Sequence, residues 1–121
     1  MFGFGHKLSE HMPELTTTQE CDEIFSHEFC IVFKHSPTCM ISRLAYGAVA
    51  RFRSAQPDLP IHLISVRRRR DVSMYVADRT GVEHASPQIL VLRRGHVVAN
   101  ASHDEITESW LQHCVENLKI V

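Results

Sequence analysis

The sequence lacks any Cys-x-x-Cys pair: its four cysteines stand far apart, at 21, 30, 39 and 114. That spacing excludes a dithiol closing on itself within one helical turn. It also argues against a disulfide framework in a chain able to build its own core. Zinc sites cluster their ligands roughly two to five residues apart, so no metal is expected despite nine histidines. No apolar run approaches the ~20 residues that cross a bilayer. Residues 1–12 hold Gly, His, Lys and Glu without an apolar stretch, so no signal peptide is read there and a cytoplasmic location is expected. Neither sign of charge dominates. A net charge of −1 gives no global field for nucleic acid or an anionic membrane.

What is present suits one compact domain: 121 residues, 44% hydrophobic and 22% charged, without repeats or low-complexity tracts. Residues 1–12 read as a loose lead-in and 13–121 as the domain. Thr17-x-x-Glu20 is a capping box that opens a helix with Cys21, Ile24 and Phe25 on one face. Phe29 to Lys34 is a continuous apolar run of strand length, suited to a central strand buried on both faces. His35-Ser36-Pro37-Thr38 breaks it. A second helix is expected from Cys39, with Ile41, Leu44, Ala45, Ala48 and Phe52 inward.

Ile61 to Val66 reads as the next strand, and Arg67 to Asp71 leads into a third helix carrying Val72, Tyr75 and Val76, stopped by Gly81. Gln88 to Arg93 and His96 to Ala101 flank an Arg94-Gly95 turn as a hairpin. Ser102-x-x-Glu105 is a second capping box, expected to open a last helix with Ile106, Trp110, Cys114 and Leu118 inward. The first half alternates as parallel βαβ units do, and the second ends in an antiparallel hairpin plus helix. The expected class is therefore α/β, a central mixed sheet flanked by helices, in an order that suits a thioredoxin-like fold.

Cys39 stands where the buried strand gives way to a helix. A helix N-terminus offers unpaired N–H groups and about half a positive charge. Both stabilise a thiolate, which is the nucleophile of disulfide exchange. Arg43, in the first turn, adds to the positive potential. Cys39 is thus the candidate reactive thiol, the plainer reading being a small apolar residue packed at a loop. Ser42 stands where a dithiol oxidoreductase has its second Cys, although its letters also fit an ordinary first-turn residue. With serine there, a mixed disulfide on Cys39 awaits another thiol. Pro87 begins a strand, which proline tolerates. The sharper reading is a cis Ser86–Pro87 bond beside the thiol, although X–Pro bonds are cis in only ~5–6% of cases. Cys21, Cys30 and Cys114 read as packing residues. His35 and His84 read either as neighbours of Cys39 or as surface loop residues.

Three blocks carry a resemblance. They are Phe33-Lys34-His35-Ser36-Pro37-Thr38-Cys39-Met40-Ile41-Ser42, then Gly81-Val82-Glu83-His84-Ala85-Ser86-Pro87-Gln88, then Ala101-Ser102-His103. In that order they resemble the monothiol bacilliredoxin family, over a span from about Leu15 to Leu118. The resemblance implies a thioredoxin-like fold and a monothiol thiol–disulfide oxidoreductase that removes bacillithiol, a low-molecular-weight thiol, from S-thiolated proteins. It implies Cys39 as nucleophile and Pro87 as a cis-proline. Thr38, Met40, Ile41, Ser42, His84, Ser86 and Gln88 would complete the thiol-binding surround. Met40 departs from the pattern, since many members carry Pro there. The implied partners are S-thiolated proteins and the small thiol as co-substrate, with no bound cofactor, metal, nucleic acid or membrane.

Two other readings stand beside this one. The first is a non-catalytic thioredoxin-like module that binds a protein through the Pro87 loop or senses oxidation at Cys39. The second is a metal-handling protein using His and Cys. The run Arg67 to Arg70 has no interleaved aromatic residue and reads as a solvated loop. Binding of a phosphate or of a thiol's carboxylates is the alternative there.

Overall fold

Alternation along the innermost strand decides the architecture. In β1 (Phe29–His35), Cys30, Val32 and Lys34 project to one side and Ile31 and Phe33 to the other, and all five are buried. A strand buried on both faces needs apolar cover on both, which explains its unbroken apolar run. The computed structural model describes residues 12–118. Its sheet has the order β2-β1-β3-β4. Strand β2 (Ile61–Ser65) runs parallel to β1, β3 (Gln88–Arg93) antiparallel to β1, and β4 (His96–Ser102) antiparallel to β3.

Helices cover both faces. On one side α1 (Thr18–Phe25) and α3 (Arg70–Thr80) bring Cys21, Ile24, Phe25, Val72 and Val76 against Val32, Ile64 and Leu90. On the other side α2 (Met40–Ala55) and α4 (Glu108–Leu118) bring Ala45, Val49, Phe52, Leu111 and Val115 against Ile31, Phe33 and Ile89. Local signals fit these elements. Thr17 and Glu20 form the reciprocal capping box of α1, each side chain accepting from the other's backbone N–H at 3.1 Å. Arg94 and Gly95 both have positive φ, 50° and 79°, as a two-residue hairpin turn requires.

Several boundaries and faces differ from the sequence expectation. The Ser102–Glu105 capping box exists but caps only a one-turn 3-10 helix, His103–Glu105. Helix α4 begins at Glu108, where Thr107 Oγ1 accepts from Trp110 N–H at 3.0 Å. That later start sets the inward stripe as Leu111, Cys114 and Val115, while Ile106 is buried ahead of the helix and Trp110 and Leu118 only partly. In α2 the inward stripe is Ser42, Ala45, Ala48, Val49 and Phe52. Ile41 and Leu44, expected inward, lie beside that stripe and are 44% and 68% exposed.

Strand β1 runs one residue longer than expected, β2 stops at Ser65, and β4 reaches Ser102. Of the lead-in, residues 1–11 lie outside the described residues, and Met12 is buried in the core. Just after it the chain runs parallel beside β2. Leu63 N–H donates to Pro13 O and Leu15 N–H to Leu63 O, both at 2.8 Å. No helix among the described residues is long and apolar enough to cross a membrane.

Candidate active site

The ladder between β1 and β3 sets Lys34 opposite Gln88, so the chain leaving β1 and the Ser86-Pro87 step entering β3 share one end of the sheet. The Ser86–Pro87 peptide is cis. Pro87 O accepts from His103 N–H at 3.0 Å, tying this step to the exit of β4. At the same end Cys39 is the N-cap of α2, in extended backbone. Its carbonyl accepts the first helical bond, from Arg43 N–H at 3.0 Å, and its own N–H donates to Ser36 O at 3.1 Å. No side chain caps this helix, so the unpaired N–H groups of the first turn open toward the end where Cys39 stands. The departure at Met40 leaves the helix intact, with Met40 as its first residue.

Ser42 has a structural task that its letters did not show. It is fully buried. Its Oγ accepts from Ser36 N–H at 2.8 Å and pairs with His35 Nδ1 at 2.8 Å. The hydroxyl thereby staples the loop before Cys39 onto the first turn of α2. The His35 ring packs 4.9 Å from Tyr46 and 5.7 Å from Phe33 between ring centres. Burial lowers the His35 pKa below its ordinary value and so favours the neutral imidazole.

Cys39 is partly exposed, whereas Cys21, Cys30 and Cys114 are buried. Burial pushes the Cys30 thiol up to about 12 and the Cys21 thiol up to about 11, and raises Cys114 as well. Cys30 lies on the α1/α3 face and α2 on the opposite one, so the sheet itself separates Cys30 from Cys39. Met40, Ile41 and Leu44 form an exposed apolar patch on the first turns of α2 beside Cys39.

The other face holds a second polar group. Lys34 is fully buried, with Nζ 3.2 Å from His84 Nδ1, and that nitrogen also lies 3.2 Å from Ser73 Oγ. Burial pushes Lys34 down to about 8. His84 is lowered by burial first and then by the positive Lys34 and Arg70. Gln88 shares this face, its Nε2 donating to Glu83 O at 2.9 Å. Its Oε1 and the Ser86 Oγ are buried without a partner among the described residues.

The structure therefore gathers Thr38, Cys39, Met40, Ile41 and Ser42 at the start of α2, with Ser86-Pro87 at the same end of the sheet. It sends the side chains of His84 and Gln88 to the α3 face. The sequence reading missed the buried Lys34 and Ser73. Strand alternation carried the signal for Lys34, a cation on the same side as Cys30 and Val32. Arg67 Nη1 donates to Thr38 Oγ1 at 3.0 Å, and Arg68 Nη2 to both Glu14 oxygens at 2.9 and 3.0 Å. Among the described residues no group of three or more His, Cys, Asp or Glu is placed to hold a metal.

Residues 13–111 match the family model described as Monothiol bacilliredoxin BrxC. The chain belongs to this family. As a bacilliredoxin-family protein it is similar to a solved thioredoxin-fold protein assigned as an oxidoreductase, with 31% identity and a TM-score of 0.78 over 84% of this chain and 91% of that one. Thioredoxin from Trypanosoma brucei brucei aligns at 8% identity with a TM-score of 0.75, over 93% of this chain and 95% of that one. Mitochondrial thioredoxin 3 from Saccharomyces cerevisiae aligns at 14% identity with a TM-score of 0.69, over 88% and 94%. The last two are likenesses of fold. Family and fold together make this bacilliredoxin-family chain a thiol–disulfide oxidoreductase of the thioredoxin fold.

Proposed function

We propose that this protein removes bacillithiol from S-thiolated proteins in the cytoplasm, with Cys39 as its single working thiol. The observation that carries the reading is the pairing of a partly exposed Cys39 at the N-cap of α2 with a buried, hydrogen-bonded Ser42. The Cys39 thiolate attacks the bacillithiol sulfur of the protein mixed disulfide. A Cys39–sulfur bond forms as the protein thiolate leaves with the bonding electron pair and takes a proton from solvent. A second small thiol then attacks the adduct, releasing a small-molecule disulfide and free Cys39. The exposed Met40, Ile41 and Leu44 give a protein substrate an apolar surface to approach. The cis Ser86–Pro87 step offers backbone at the same end of the sheet.

Incubation of the reduced protein with a bacillithiolated model protein tests this. The expected outcome is loss of the adduct from the substrate and its appearance on the Cys39 peptide. A substrate adduct that persists unchanged after prolonged incubation contradicts the reading.

A further inference from the structure

Two adjacent parallel strands send their helices to opposite faces of this sheet. From β1 the chain turns to α2 on one side, and from β2 it turns to α3 on the other. The loops diverge, and a crevice opens beyond the strand ends. Open α/β sheets bind ligands at such switch points. A groove of about 580 Å³ occupies this place, lined by Pro37 and Thr38 from the first loop and Ser65, Arg67 and Arg68 from the second. Its volume lies within the ~300–1,000 Å³ of small-molecule sites. Thr38 directly precedes Cys39, so the groove begins one residue from the thiol.

The charges in the groove differ in use. Arg68 is committed, its guanidinium paired with both carboxylate oxygens of Glu14. Arg67 gives one N–H to the neutral Thr38 hydroxyl and has no carboxylate partner among the described residues. A guanidinium carries five N–H donors in a planar fork that matches a carboxylate. The Thr38 bond fixes that fork beside the residue that precedes the thiol.

We propose that this crevice is the subsite for the carboxylate of the low-molecular-weight thiol, with Arg67 as its anchor. The inference rests on the reading of Cys39 as the thiol that accepts the small molecule. It adds which part of that molecule is recognised and where. With the carboxylate on Arg67, the small thiol's sulfur faces Cys39 and the protein thiolate is the leaving group. Attack is thereby directed to the small-thiol side of the mixed disulfide.

The test uses two disulfides of one shape, 3,3′-dithiodipropionate and its neutral diamide, reacted with the full chain while mixed-disulfide formation on Cys39 is timed. The ratio of the two rates is the readout, because it cancels any change in Cys39 itself. Arg67→Ala is expected to lower the anion-to-diamide ratio roughly five- to tenfold, the net worth of about one ordinary hydrogen bond at a solvent-exposed site. Arg67→Lys should restore part of it. Arg70→Ala, an exposed arginine outside the groove, should leave it unchanged.

An equal fall in Arg70→Ala, or no fall in Arg67→Ala, overturns the subsite and leaves the Cys39 reading standing. No Cys39 adduct from either disulfide removes both. A further arm places the carboxylate on the other side, as an Asp-Cys peptide joined to a neutral thiol. A fall in rate with that peptide in Arg67→Ala, as large as with the small anion, assigns the groove to the protein substrate and overturns the inference.

Discussion

Replacing Cys39 with serine should lower the proposed removal of bacillithiol by at least ~1,000-fold, the loss that follows when the group forming a covalent intermediate is taken away. No other thiol replaces it. Cys21 and Cys30 are buried, and burial holds their thiols up at about 11 and about 12, so their thiolate fraction at pH 7 is negligible. Cys114 is buried on the inward stripe of α4 and also raised. Cys30→Ser should therefore keep the wild-type rate. Following the decay of a bacillithiolated substrate with the three proteins side by side checks both halves. Substantial activity in Cys39→Ser, or its loss in Cys30→Ser, contradicts the assignment.

Replacing Lys34 with methionine should stabilise the fold by about 2–3 kcal/mol at pH 7. The cause is the position of Lys34 inside the sheet, fully buried, with the His84 imidazole and no carboxylate as its polar partner among the described residues. Burial pushes its pKa from 10.5 to about 8. The folded pKa lies below the unfolded one, so between these values the unfolded chain binds more protons and stability rises with pH. Below about 8 both states are protonated, and the full penalty of burying the ammonium is present. It is relieved as pH climbs from about 8 toward 10.5. Methionine fills a similar volume without a charge and leaves Ser73 and His84 bonded to each other. The advantage of Lys34→Met in urea unfolding should shrink by about 2 kcal/mol between pH 7 and pH 9.5. A gap that stays constant with pH, or a less stable variant, contradicts the account of a charged lysine held in the sheet.

Much of this was legible in the letters because local and tertiary requirements coincide. The Thr17–Glu20 box, the Phe29-to-Lys34 run and the Arg94-Gly95 turn each state an element whose packing agrees with it. Legibility failed where one signal had two meanings. Ser102 and Glu105 form the same reciprocal bonds on a single 3-10 turn as they would on a long helix, and only Thr107 marks the true start of α4. Ile41 and Leu44 have core letters but stand on the exposed flank of α2, beside the thiol. At the candidate site, the strand-to-helix junction pointed to Cys39 as the candidate thiol, and the structure sets it partly exposed at the N-cap of α2. The roles of Ser42 and Lys34 depend on partners brought together by the fold, His35 and Ser36 for one and His84 for the other. No pattern along the chain states those pairings. The crevice between the Thr38 and Arg67 loops is likewise a product of topology, since the two loops meet only because β1 and β2 lie side by side.

The central claim is that one thiol works alone, and the mass of the oxidised protein tests it most directly. The reduced chain is treated with bacillithiol disulfide, and its intact mass is read before and after. The account predicts a gain of one bacillithiol, carried by the Cys39 peptide, retained in Cys30→Ser and absent in Cys39→Ser. A wild-type protein that gains nothing and loses two hydrogens holds an internal disulfide, and that result contradicts the single-thiol mechanism.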